Sequence, residues 1–205
     1  MNETPLTRWE QWGQSGYKDE FTRQIEAGTD VEGEARLADV LAARGSRILD
    51  AGAGIGRIGG ALQARGHQVL AVEKDRELIE RAAELFPDLP MLESDLLALT
   101  PAALTGAGQV AEFDLIVMVG NVIVFAAPDT ERQLLARMRD LLAEGGRILV
   151  GFHPISRTGN ARDYPFDAFA ADVEAAGLTV QHRFGTYELH PPADDYVVAV
   201  LSGRR

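Results

Sequence analysis

The sequence predicts an α/β fold built on a mostly parallel sheet. Short apolar runs alternate with amphipathic helical stretches along most of the chain, the pattern of repeated βα units. One run, "FDLIVMVG" (113–120), is almost continuously apolar, as expected of a strand buried on both faces of a parallel sheet. The last two strand-like runs are joined by a link too short for a helical crossover, so they should pair antiparallel. At 205 residues the chain suits a single domain around one continuous core.

Each element has its own local reason. The first thirty residues are polar but carry Trp9, Trp12, Tyr17 and Phe21, and are expected to form a cap or lid rather than a core strand. "DVEGEARLADVLAARG" reads as a helix capped by Asp30 and stopped at Gly45, with Leu37, Val40 and Leu41 on its apolar face. "SRILDAG" is the first strand, and the helix after it stops at Gly66. "HQVLAVE" is the second strand. Asp75 can cap the helix "RELIERAAELF", which must stop before Pro87. "PMLES" is a weaker third strand and "FDLIVMVG" the fourth.

In "PDTERQLLARMRDLLAEGG", Leu134, Leu135, Met138, Leu141 and Leu142 recur at helical spacing, with Pro128 near the start and Gly145 and Gly146 expected past the end. "RILVGFH" is the fifth strand. A final helix, "FDAFAADVEAAG", precedes "LTVQHRFGTYEL" and "DYVVAVLSG", which "HPPADD" joins as a turn.

Composition narrows the function. With 31 acidic against 20 basic residues the net charge is −11, which argues against a broad nucleic-acid surface and for a small-molecule substrate. There is no cysteine, so disulfides and thiolate metal sites are excluded. The four histidines lack metal-ligand spacing, and no metal is expected. No long apolar run or secretory leader is visible, so a soluble, cytoplasmic protein without a membrane partner is expected. Oligomeric state is not legible.

The chemistry concentrates in "ILDAGAGIGRIGG" (48–60), which reads in two registers. Gly54, Gly56 and Gly59 satisfy the G-x-G-x-x-G spacing of a dinucleotide loop. Asp50, Gly52, Gly54 and Gly56 give D-x-G-x-G-x-G, with an acid ahead of the glycines. Glu73, at the end of the second strand, fits a ribose-binding acid in either case. Three features favour the second register. A carboxylate at Asp50 would repel a pyrophosphate but not a ligand carrying an ammonium. Asp95, just past the third strand, is placed to accept from an adenine amino group. The closing antiparallel pair replaces the second parallel half usual in dehydrogenases.

These residues carry a resemblance. "ILDAGAGIG", "VLAVEKD", "ESDLL", "FDLIVMVGNVIVF" and "LLAEGGRILVGF" resemble, in order, the motifs of class I S-adenosylmethionine-dependent methyltransferases, over about residues 45–152. The N-terminal portion is similar to that of bacterial small-molecule methyltransferase-like proteins. The resemblance implies a Rossmann-like sheet of seven strands in the order 3-2-1-4-5-7-6, with the last strand antiparallel and helices on both faces. Residues 1–30 would be a cap, 45–152 the cofactor-binding core, and 153–205 a C-terminal helix and strand pair. It implies S-adenosylmethionine as donor and S-adenosylhomocysteine as product, with a methyl group passing to an O, N or C nucleophile by in-line displacement.

On this reading Glu73 accepts the ribose hydroxyls. Gly52, Gly54 and Gly56 let the backbone approach the methionine part of the donor. Asp50 orients the loop and helps hold the ammonium, while Asp95 and Leu96 meet the adenine edge and Lys74 lays its apolar stem beside the ring. Gly120 and Asn121 lie where donor and acceptor meet. "GNVIVF" is not the Asn/Asp-Pro-Pro-Tyr/Phe motif of members that methylate the amino groups of nucleobases or glutamine. His153 is the best-placed candidate base, and Tyr17 the N-terminal aromatic placed to touch donor or substrate. Two alternatives stay open at this level: a NAD(P)-dependent oxidoreductase, and a non-catalytic S-adenosylmethionine-binding protein.

Overall fold

The computed structural model describes residues 5–12, 22–25, 27–156 and 160–203. Tyr17 and Phe21 lie outside the described residues. The elements that position the site are α1 (Arg8–Trp12), α2 (Gly33–Leu41), β1 (Arg47–Ala51), α3 (Arg57–Ala64), β2 (Gln68–Glu73), α4 (Arg76–Leu85), β3 (Met91–Glu93), α5 (Pro101–Gly106), β4 (Phe113–Met118), α6 (Glu131–Asp140), β5 (Leu142–Phe152), α7 (Phe166–Ala175), β6 (Leu178–Phe184) and β7 (Val197–Gly203).

The strands form one seven-stranded sheet in the order β3-β2-β1-β4-β5-β7-β6. β7 runs antiparallel to both β5 and β6, and the other pairings are parallel. This is the expected order. Alternation along the strands explains their continuous apolar character: Leu49, Leu70, Ile116 and Ile148 enter the core on one face, while Ile48, Val69, Leu115 and Leu149 enter it on the other. The parallel register brings Ala51 beside Val72, Val72 beside Leu92, and Met118 beside Val150. The carboxyl ends of β1 to β5 therefore share one edge, where ligands bind in open α/β sheets.

Three local expectations change. Val40 is 78% exposed, while Ala35, Leu37 and Ala38 are buried. Small residues let α2 pack closely, and Val40 falls about a sixth of a turn outside the stripe that Ala35, Leu37 and Ala38 define. α2 also starts later and stops earlier than expected. Asp30 accepts from the Glu32 N–H at 3.1 Å and from Arg36 at 2.7 Å, bracing the approach to α2, and Gly45 (φ +71°) turns the chain into β1. Finally, α6 ends at Asp140 and β5 already begins at Leu142, so Gly145 and Gly146 lie inside the strand. Gly145 has φ +75°, and the β4–β5 register shifts between Phe113 and Leu115. The Asp75 cap on α4 forms as expected, accepting from the Glu77 N–H at 3.0 Å.

Candidate active site

The shared strand edge opens on a cavity of about 460 Å³. Gly52 and Gly54 line it from the loop after β1, Glu73 and Lys74 from the end of β2, Asp95 and Leu96 from beyond β3, Gly120 and Asn121 from beyond β4, and His153 from beyond β5. Residues scattered over a hundred positions are assembled by the sheet order alone. Asp50 and Gly56 are not among the lining residues.

The loop geometry explains that division. Gly52 (φ +79°) approaches the turn after β4 so closely that a Cβ there would lie 2.6 Å from Val122. Gly56 (φ +79°) faces the other way, toward Leu89, Ala82 and Phe86, and serves the packing of α3 on α4. Asp50 is buried behind the loop, and its Oδ2 accepts from the Gly59 N–H at 2.8 Å. Burial pushes its carboxyl up to about 7, against that hydrogen bond and the Arg57 charge, both of which lower it. The glycine that the dinucleotide register needs, Gly59, thus spends its N–H on Asp50.

Glu73 is 9% exposed. Its Oε2 accepts from the Gly54 N–H at 2.9 Å, and its Oε1 from the Lys74 and Asp75 N–H groups at 2.7 and 3.0 Å. Burial raises its pKa while those three donors pull it down. The carboxylate is thereby locked in position with lone pairs left for a diol.

Lys74 sits between two acids, with Nζ 2.8 Å from Asp95 Oδ2 and 2.8 Å from Glu10 Oε2. Burial disfavours its charge, but these bonds outweigh it and the pKa rises. Asp95 also caps the short 3₁₀ turn Leu96–Ala98, accepting from the Leu97 N–H at 2.8 Å.

On the other side of the glycine loop, Asn121 takes the left-handed conformation at φ +75°. Its N–H donates to Gly151 O at 3.0 Å, and its Oδ1 accepts from the His153 N–H at 2.8 Å. Asn121 therefore ties the end of β4 to the end of β5. The imidazole packs edge-on against Tyr196, with 4.7 Å between ring centroids, and its Nδ1 lies 2.7 Å from Asp195 O. A carbonyl can only accept, so Nδ1 carries the proton and Nε2 the lone pair in the neutral ring. Tyr196 shares a 2.9 Å hydrogen bond with Tyr187 beneath the site, and burial pushes its phenol up to about 12.

The N-terminal helix closes the cavity. Trp9 and Trp12 both line it as well as packing the segment onto the domain. Trp12 lies nearly parallel to Phe125 (5.7 Å, 15°), and Trp9 meets Phe125 edge-on (5.5 Å, 83°). The Trp9 indole N–H donates to Asp75 Oδ2 at 3.3 Å. Arg8 donates to Glu131 Oε1 and to Ala126 O, both at 2.8 Å. Arg162 reaches the other oxygen of Glu131 at 2.9 Å. The aromatic-rich start of the chain signalled the two tryptophans, whereas nothing local signalled Phe125 or the Asp195 carbonyl. Among the described residues no group of three or more His, Asp and Glu could hold a metal ion, and no helix is long and apolar enough to cross a membrane.

The donor set fits a nucleoside bearing a zwitterionic tail: a glycine cradle, an acid at the end of β2, a second acid past β3, and apolar walls from Val72, Leu97 and Val122. Fold and cavity together define an α/β enzyme of the nucleoside-binding kind.

The comparisons with known proteins specify it further. A family model described as "Methyltransferase domain" matches residues 49–148. A TehB-like SAM-dependent methyltransferase from Corynebacterium glutamicum has a solved structure that is 35% identical, with a TM-score of 0.79 over 92% of this chain and 96% of that one. The ribosomal RNA small subunit methyltransferase A of Anaeromyxobacter sp. is 34% identical over 116 residues, 54% of this chain and 37% of that protein. The carboxy-S-adenosyl-L-methionine synthase of Pseudomonas putida is 29% identical over 138 residues, 60% of this chain and 51% of that protein. The chain thus spans between about a third and a half of these curated relatives.

This chain belongs to the class I S-adenosylmethionine-dependent methyltransferases. The donor of this family is S-adenosylmethionine.

Proposed function

We propose that the protein transfers the methyl group of S-adenosylmethionine to an O, N or C nucleophile of a small-molecule acceptor, and that residues 1–205 act as one methyltransferase domain. The observation that carries this reading is a cavity lined together by the glycine loop, Glu73, Asp95 and His153, with the His153 Nδ1 directed at the Asp195 carbonyl. A net charge of −11 supports a small acceptor over a nucleic acid.

Glu73 accepts the ribose hydroxyls, Asp95 and Leu96 meet the adenine edge, and the Gly52–Gly54 backbone runs along the methionine portion. Asp50 acts from behind the loop by holding Gly59. Lys74 serves through its ion pairs, which fix Asp95 and draw α1 over the cavity. Bound S-adenosylmethionine supplies an electrophilic methyl group on a cationic sulfur that departs as a neutral thioether. The chain's own task is then mainly alignment and exclusion of water. Gly120 and Asn121 set the floor where the acceptor atom lies, α1 shields it, and His153 Nε2 takes the proton of an acceptor hydroxyl or amine.

The test is release of S-adenosylhomocysteine in a screen of small hydroxy and amino compounds beside ribosomal RNA fragments, with wild type and His153→Gln. Turnover of a small molecule that falls about 10²-fold or more in the variant supports the reading. Turnover of RNA alone would overturn it.

A further inference from the structure

We infer that the acceptor is a neutral, planar and largely apolar molecule lying against Trp12 and Phe125; the inference rests on the methyl-transfer reading above. The sheet order divides the cavity. On the β2–β3 side of the glycine loop stand the polar groups Glu73, Lys74 and Asp95, suited to the ribose and base of the donor. On the β4 side the wall is Trp12 and Phe125 with Ala126, Ala127 and Leu134. The two rings lie 15° from parallel and Trp9 meets both edge-on, so the three form an aromatic corner flanked by Ala126 and Ala127. A flat ring system buries more of its area against such a corner than a branched or puckered one does.

Charge sharpens the choice. The ammonium of Lys74 is held between Glu10 and Asp95. The carboxylate of Glu131, 1% exposed, is held between Arg8 and Arg162. Among the described residues lining the β4 side there is no carboxylate, lysine or arginine to pair with an acceptor's charge, so a charged acceptor would be buried without an ion-pair partner. The overall negative charge of the protein attracts cations from a distance, but this lining offers them ring faces and no carboxylate.

The polar atoms on this side are few and mostly committed. Thr130 donates its hydroxyl to Ala127 O at 2.7 Å, and Asn121 Oδ1 is taken by the His153 N–H. His153 Nε2 is then matched to one nucleophilic O–H or N–H group on an otherwise apolar molecule.

The experiment is calorimetric titration of the full chain, first with S-adenosylhomocysteine and then, in its saturating presence, with four probes of similar size. These are 2-naphthol, decahydro-2-naphthol, 2-naphthoate and 2-naphthylmethylammonium. The expected result is 2-naphthol binding about tenfold or more tightly than each of the others. Trp12→Ala should weaken 2-naphthol about tenfold while leaving S-adenosylhomocysteine within about threefold, and Trp12→Phe should keep most of the affinity. Equal or tighter binding of either ion, no binding of any probe, or loss of S-adenosylhomocysteine rather than naphthol affinity in Trp12→Ala would each overturn the acceptor class. Failure of wild type to bind S-adenosylhomocysteine would instead remove the methyl-transfer reading beneath it.

Discussion

Asp50→Asn should make the protein more stable at neutral pH, and the gain should depend on pH in a defined way. The Asp50 carboxyl is fully buried, and burial lifts its pKa from 3.8 to about 7. The folded state therefore holds this proton more tightly than the unfolded chain. Between about pH 4 and pH 7 the native protein retains a proton that the unfolded chain has released, so stability falls as pH rises through this window and levels off above it. The full displacement is worth roughly 4 kcal/mol, an upper bound because the loop can relax around the charge. Asparagine keeps an oxygen for the Gly59 N–H, now 2.8 Å away, without the ionisation. Urea unfolding of wild type and variant at pH 5 and pH 8 reads the effect. The two midpoints should lie closer at pH 5 and separate by up to about 2 M at pH 8, taking a slope of about 2 kcal/mol/M. Parallel stability profiles, or a wild type that gains on the variant as pH rises, would refute the burial argument.

Gly52→Ala should cost about 1–3 kcal/mol in backbone strain at φ +79° and weaken S-adenosylhomocysteine more than tenfold, because its Cβ would meet Val122 at 2.6 Å. Wild-type affinity in that variant would contradict the proposed cradle. Glu131→Gln removes the charge shared by Arg8 and Arg162 and should cost about 3 kcal/mol. Since both of the chain's tryptophans lie in α1, its emission should also shift red as the helix loosens; an unchanged spectrum and midpoint would refute the latch.

The sheet was legible because its strands are long in apolar residues and short in connections, so that β4 and the closing pair β6–β7 had few other readings. That Glu73 and Asp95 reach one cavity was legible for a related reason: Glu73 ends β2 and Asp95 lies two residues past β3, and aligned strand ends fix where their side chains arrive. Val40 misled because an apolar residue near a helix end satisfies a periodic pattern without facing the core. The separation of Gly52 and Gly54 from Gly56 was not legible, since successive left-handed glycines point in different directions and only the packed helix α4 reveals which way. The latches were hidden by distance. Lys74 meets Glu10 across 64 positions and Arg8 meets Glu131 across 123, with nothing in either neighbourhood to name the partner. Nothing near Asn121 in the sequence signalled that its side-chain oxygen accepts from the His153 N–H, 32 positions away.

The assignment of Glu73 as the acid that holds the donor is tested most directly by calorimetric titration with S-adenosylmethionine, S-adenosylhomocysteine and NADH in parallel. The proteins are wild type, Glu73→Ala, and Glu73→Gln, which retains an oxygen for the Gly54 N–H. Micromolar binding of both sulfur ligands to wild type, lost in Glu73→Ala, weakened at least tenfold in Glu73→Gln and absent for NADH, is the predicted result. Full affinity for S-adenosylmethionine in both variants, or NADH binding without the sulfur ligands, would contradict it.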